Sequence, residues 1–205
     1  MLNLTAPDSG VLLIVSGPSG AGKSTLLHAA MQRIPDLSFS VSATTRPMRT
    51  GEAEGEDYYF VSPGRFDELV TQGALLEHAT VYAHSYGTLA APVDAALSAG
   101  KSILLDIDVQ GARQVREART DAVSVFVLPP SMTILEQRLR ARGTDNDATI
   151  GLRMEEAREQ ILGAQDYDYW VLNDDREAAQ SVLQGIILAE LSRASRRQTA
   201  LRKVL

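Results

Sequence analysis

Gly17-Pro18-Ser19-Gly20-Ala21-Gly22-Lys23-Ser24 carries the spacing G-x-x-x-x-G-K-[ST] at every fixed position, with Thr25 next in the chain. Glycines at such spacing let consecutive backbone N–H groups turn inward around a polyphosphate with no side chain in the way. A helix opening near Gly22 aims its unpaired N–H groups and positive dipole end at the same anion. Lys23 adds a mobile charge for the β- and γ-phosphates, and the Ser24 hydroxyl suits Mg²⁺. Residues 17–25 therefore predict a nucleoside triphosphate cradle.

Two further groupings suit phosphoryl chemistry. In SILLDID, Asp106 follows a buried apolar run and Asp108 lies two residues on, which would put both on one side of a strand. Asp106 there would hold Mg²⁺, partly through water, as an octahedral ion prefers. Caps for the next helix are the plainer use of both aspartates, of Asp108 above all. In FSVSATTRPMRTGEAEGEDYYF, Arg46 and Arg49 flank Pro47 ahead of a Tyr-Tyr pair. Two arginines so close suit bidentate capture of a phosphate monoester, and equally suit a solvated loop.

The elements that must position these groups read as an α/β chain. VLLIVS (11–16), SILLDID (102–108), AVSVFVL (122–128) and WVLN (170–173) are short apolar runs, the pattern of buried strands. Helical spacing follows over 22–34, from about 109 to 119, and over 175–198. In the last, Ala178, Val182, Ile186, Ile187, Ala189 and Leu191 are the predicted apolar anchors. Strands alternating with helices imply a parallel sheet. Residues 38–90, with FSVS, DYYFV and LLEHATVY, predict a small mixed-sheet insertion. Residues 131–166 are helical and arginine-rich, a pattern that also fits a solvated helix pair.

The 205 residues, 44% apolar and 22% charged, fit one globular domain rather than a disordered chain. No cysteine is present, which excludes disulfides, thiolate metal sites and cysteine nucleophiles. The net charge of −6 argues against a general nucleic-acid binder. No membrane-length apolar run and no secretory signal in MLNLTAPDSG are apparent, so a cytoplasmic chain is expected. Only three of the twenty basic residues are lysine, and one of them is Lys23.

The strings SGPSGAGKSTL, SVSATTRPMRTGEAEGEDYYF, LLEHATVYAHSYGT, ILLDIDVQG, RLRARGTD and VLNDD, in that order, resemble the guanylate kinase family over roughly residues 11–195. The resemblance implies a P-loop parallel core with helices, a GMP-binding insertion (about 38–90) and a helical lid (about 131–166), the core being about 1–37, 91–130 and 167–205. It implies transfer of the γ-phosphoryl of ATP to GMP with Mg²⁺. By that resemblance Arg46, Arg49, Tyr58 and Tyr86 grip the acceptor phosphate, Ser42, Glu77 and Thr88 read guanine, and Asp108 belongs to the same pocket. Lys23, Arg46 and the lid arginines Arg138, Arg142 and Arg153 are the expected catalytic charges, with Arg142 and Asn173 on the donor side and Asn173 near the adenine. Departures are small: Ala43 and Thr88 stand where many members have serine.

Guanine presents N1–H and an N2 amino group as donors and O6 as acceptor. A carboxylate such as Glu77 accepts both donors, and a hydroxyl such as Thr88 can donate to O6. Adenine would leave that carboxylate unpaired, a cost of several kcal/mol. Two rival readings stay open on sequence alone. One is another P-loop small-molecule or sugar-phosphate kinase; the other is a non-catalytic guanylate-kinase-like interaction module.

Overall fold

The structure, a computed structural model, describes residues 7–81, 83–143 and 145–205. The start of MLNLTAPDSG, Tyr82 of LLEHATVYAHSYGT and Thr144 of RLRARGTD lie outside the described residues.

Five strands form a parallel sheet in the order β2-β7-β1-β8-β9. They are β1 (Leu12–Ser16), β2 (Leu37–Phe39), β7 (Ser102–Asp106), β8 (Val123–Leu128) and β9 (Tyr169–Leu172). The central strand β1 is buried along its whole length, because helices cover both faces of the sheet. Its side chains alternate between two cores. Leu13 and Val15 join Leu26 and Leu27 of α1 (Lys23–Arg33) and Leu183 and Ile187 of α7 (Arg176–Leu191). Leu12 and Ile14 join Val93 and Leu97 of α3 (Ala90–Ser98) and Val115 of α4 (Val109–Ala118).

A second sheet has the order β4-β3-β6-β5, from β3 (Ser42–Thr44), β4 (Tyr58–Phe60), β5 (Leu75–Val81) and β6 (His84–Leu89). β3 runs parallel to β4, and the other two pairings are antiparallel. Helix α2 (Pro63–Thr71) links β4 to β5 and starts on a Ser62 cap. Helix α4 ties this sheet to the core: the Gln114 side-chain amide donates to the His78 carbonyl and its oxygen accepts from the His78 N–H, both at 3.1 Å. The arginine-rich stretch forms α5 (Met132–Ala141) and α6 (Asp147–Leu162), closed on a small core of Leu135, Leu139, Ile150, Met154 and Ala157.

Three local expectations are corrected. FSVS is not one strand: Phe39 ends β2 in the core sheet, and Ser42 begins β3 in the other. The chain must turn between them to change sheets, and alternation alone does not reveal such a turn. The helix expected over 175–198 ends at Leu191, and a separate α8 (Gln198–Val204) follows a single 3-10 turn. Its buried stripe is Ala179, Leu183, Ile187 and Leu191: the expected anchors Ile187 and Leu191 are buried and Ile186 packs against the core, while Ala178, Val182 (50% exposed) and Ala189 face outward, because in the first turns the stripe runs one residue on from the expected pair.

Candidate active site

The loop 17–22 joins the carboxyl end of β1 to α1. Helix α1 has no side-chain cap: the cap position before Lys23 is Gly22, in the left-handed region at φ 94°. Its initial N–H groups therefore face the loop rather than a capping oxygen. A side chain at Gly22 is excluded twice, by φ and by the Asn173 Nδ2, which would lie 2.2 Å from a Cβ. Gly17, at φ 146°, would set a Cβ 2.4 Å from the Val127 carbonyl oxygen.

Lys23 donates from Nζ to the Gly17 carbonyl at 2.6 Å and lies 3.9 Å from Asp106. Burial lowers the lysine pKa and Arg142 adds to the effect, while Asp106 opposes it. Burial raises the Asp106 pKa, against Lys23. The pair sits in a cleft that the loop, Ser24 and Thr25 line together with Asp106, Asp108, Arg142 and Gln160. A hydroxyl and a carboxylate on one cleft wall are oxygen donors of the kind that fits Mg²⁺ with its waters. Among the described residues no three His, Cys, Asp or Glu side chains cluster as a ready metal cage.

Asp108 does not share a strand with Asp106, because β7 stops at Asp106. It is the cap of α4, accepting from the Gly111 N–H at 2.8 Å, and still faces the cleft. The lid arginines are distributed over three contacts. Arg138 donates to the Asn173 carbonyl at 3.0 Å. Arg142 ends α5 at the cleft wall. Arg153 reaches the Ser19 hydroxyl at 3.3 Å and Asp145 at 3.3 Å. Asn173 is buried under the loop, its Nδ2 donating to the Ala21 carbonyl at 2.6 Å. That amide is a strut of the phosphate loop, a role its expected place near the adenine does not include.

A second cavity lies between the two sheets and is lined by Phe39, Ser42, Thr88, Asp106 and Ile107. Asp106 and Ile107 line both cavities, so the two share a wall. The register of the second sheet explains what faces this space. Tyr58 pairs with Ser42, Ser42 with Thr88, and Thr88 with Glu77. Directly paired residues point to the same face, so these four form one row across all four strands. Tyr86, two residues before Thr88, shares that face. A bulge between Leu75 and Glu77 sets the last pairing: Leu75 pairs with Leu89 and Glu77 with Thr88, leaving Leu76 as the extra residue. Leu76 packs into the core.

Glu77 is buried, and Thr88 donates to its Oε1 at 2.6 Å. Burial raises the Glu77 pKa, the Thr88 hydrogen bond opposes this, and Asp108 adds to it. The Thr88 proton expected at a guanine O6 is thus directed to Glu77, since a buried carboxylate must be satisfied. Arg46 is buried beside the Tyr58 ring, 5.3 Å from its centroid, and the Tyr58 and Tyr86 rings stand edge-on at 6.0 Å. Arg49 is exposed at the end of the same loop.

The sequence reading assigned no role to Glu52, Gln160 or Asp145. Glu52 forms a bidentate pair with Arg46 at 2.7 and 3.0 Å. Its signal was a carboxylate three residues beyond Arg49, the first of four acidic residues in the stretch 52–57. Gln160 and Asp145 carry no comparable signal, because only the packing of α6 brings them to the cleft and to Arg153.

A family model described as guanylate kinase matches residues 9–190. A guanylate kinase of Bradyrhizobium diazoefficiens is 50% identical over 189 residues, 92% of this chain and 86% of that protein. One of Carboxydothermus hydrogenoformans is 47% identical, over 88% of this chain and 89% of that protein. The crystal structure of guanylate kinase from Anaplasma phagocytophilum superposes with a TM-score of 0.68 at 35% identity, covering 92% of this chain and 90% of that one.

Proposed function

The chain belongs to the guanylate kinase family, and from that premise we propose that it transfers the γ-phosphoryl group of ATP to GMP across the shared Asp106–Ile107 wall, giving ADP and GDP. The observation that carries the acceptor assignment is the row Tyr58, Ser42, Thr88 and Glu77, which lays phosphate-seeking and base-reading groups along one face. A sugar-phosphate kinase has no use for the buried Glu77–Thr88 pair. A silent interaction module has none for an intact 17–24 loop.

The loop amides, Lys23 and Arg142 hold the donor phosphates, with Gly17 to Thr25 wrapping the chain and Asn173 bracing it from below. Arg46 and Arg49, with the Tyr58 and Tyr86 hydroxyls, hold the acceptor phosphate. Ser42, Glu77, Thr88 and Asp108 line the base and ribose side. Phosphoryl transfer needs alignment and charge neutralisation more than covalent chemistry, and these groups supply both. Mg²⁺, held by Ser24 and by Asp106 partly through water, would neutralise charge on the β- and γ-phosphates. Arg138 and Arg153 close the lid side, where water must be excluded lest ATP be hydrolysed. The domain plan that goes with this is a core, an acceptor-binding insertion of about 38–90 and a lid of about 131–166. We also infer a cytoplasmic location, from substrates that are intracellular nucleotides; among the described residues no helix is long and apolar enough to cross a membrane.

The test is a coupled ADP-release assay offering GMP, AMP, CMP, UMP and ribose phosphates. GMP should lead all others by orders of magnitude. Comparable turnover with a ribose phosphate would overturn the assignment.

A further inference from the structure

Arg46 has five N–H bonds, and among the described residues Glu52 and the Pro47 carbonyl take three of them. Glu52 takes one from each terminal nitrogen, Nη2 to Oε1 at 2.7 Å and Nη1 to Oε2 at 3.0 Å, and the Pro47 carbonyl accepts from Nη1 at 2.8 Å. The other two, on Nε and Nη2, point the same way along one edge of the guanidinium, which the Tyr86 hydroxyl also approaches. Glu52 also accepts from the Arg49 N–H at 2.8 Å, and its own N–H donates to the Arg49 carbonyl at 3.1 Å. The guanidinium is further flanked by the rings of Tyr58 and Phe60, at 5.3 and 5.7 Å. Glu52, then the nearby Tyr86 hydroxyl, favour the charged form of this arginine, and Arg46 and the Arg49 N–H hold the Glu52 carboxyl below its usual range.

We propose that Glu52 is a positioning residue for the acceptor phosphate: its carboxylate occupies the end-on fork of Arg46 and pins the Arg49 backbone, so that the Nε–Nη2 edge alone is presented to the incoming monophosphate. This rests on the reading that Arg46 grips the acceptor phosphate. A carboxylate in the fork has a second effect. It cancels one of the two arginine charges in the loop, so the site attracts a phosphate dianion without becoming a trap for any polyanion. Without it, Arg46 would swing among rotamers and lose the fixed geometry that bidentate capture needs.

The experiment compares GMP with guanosine, which keeps the base and lacks the phosphate, in wild type, Glu52→Gln and Arg46→Lys. Equilibrium affinities for both compounds and the KM and kcat for GMP and ATP are measured. In Glu52→Gln the amide NH₂ faces Arg46 donors, so GMP affinity should fall about tenfold or more, the size of a lost charged hydrogen bond. Guanosine affinity and the KM for ATP should hold. An equal loss for guanosine and GMP would mean that Glu52 merely supports the fold of the loop. Unchanged GMP affinity would remove it from the site. Tighter GMP binding would mean it competes with the phosphate; each of these overturns the proposal. If Glu52→Gln does not fold, Glu52→Asp carries the same readout, because the shorter side chain keeps the charge and cannot span Arg46 and the Arg49 N–H together. Arg46→Lys separates the two layers of inference. If that variant spares GMP over guanosine, the phosphate assignment itself fails; if it loses GMP while Glu52→Gln does not, only the positioning role fails.

Discussion

The Thr88 hydroxyl donates to Glu77 Oε1 at 2.6 Å, joining two buried side chains that face each other across β6 and β5. That bond fixes the orientation of the buried carboxylate through one of its two oxygens.

For base selection, Glu77→Gln should cost about 2–4 kcal/mol of kcat/KM for GMP, the range for mismatched buried partners. The amide can donate to adenine N1, so the GMP:AMP ratio of kcat/KM should shrink by a similar factor. Both are read from steady-state kinetics; an unchanged ratio in a folded variant would remove Glu77 from base reading.

The raised pKa of Glu77 gives the same substitution an opposite sign in stability. Burial is the leading cause of the rise. A carboxyl with a raised folded pKa binds more protons folded than unfolded between its two values, so stability falls as pH climbs through that window. The amide variant does not titrate there. Its melting temperature should equal or exceed that of wild type at neutral pH, with the margin shrinking as pH drops into the ordinary glutamate range. In wild type Glu77 should contribute to the acid limb of kcat/KM for GMP above that range, and in Glu77→Gln only the part due to other groups such as Asp106 should remain. A variant that melts lower at neutral pH would show that the charge stabilises the fold.

On the donor side, Lys23→Ala should lower kcat by about a hundredfold or more, because this charge acts on the transferring group. Asp106→Asn should shift the Mg²⁺ titration of activity to higher concentration. Near-normal turnover in the first variant, or an unmoved titration in the second, would strike that residue from the mechanism.

Asn173 offers a test between bracing the loop and contacting the base. Its Nδ2 is committed to the Ala21 carbonyl at 2.6 Å. Asn173→Ala should destabilise the protein by about 1–3 kcal/mol, as for a buried hydrogen bond lost with its partner left behind. Affinities for ATP and for inosine triphosphate should fall by the same factor. A loss confined to ATP would mean that Asn173 reads adenine.

The 17–25 cradle was legible because its chemistry is backbone geometry, and backbone geometry constrains residue types at fixed spacing. The parallel core was legible because strands such as β1, covered on both faces, are apolar throughout. Glu77 was a different matter. Alone it reads as any glutamate on an alternating strand, and only the resemblance marked it, since its partner Thr88 meets it through a register that includes a bulge. Asp108 shows the reverse: its capping role follows from ordinary helix chemistry, and the supposed shared strand face ended two residues early. Glu52 sat inside a recognised string without a role, because what defines it is a loop closing on itself. In α7 the anchors Ile187 and Leu191 were read correctly, but no sequence mark separates Ala178 from Ala179, so the first turns were placed one residue off.

On the proposed base-reading role of Glu77, the bulge at Leu76 makes nucleotide choice a matter of counting. Because Leu76 turns into the core while Glu77 keeps its place beside Thr88, β5 carries one residue more than its partner strand over this stretch. Point substitutions along β5 can be absorbed one side chain at a time. A change in length acts differently at each position: loss of Leu76 removes the unpaired residue and its core contact yet keeps Glu77 opposite Thr88, whereas a residue inserted between Leu76 and Glu77 has no partner to meet and can be absorbed only by a slip that moves the carboxylate off the row. Insertions at that point should therefore cost specificity, and deletion of Leu76 should cost stability instead.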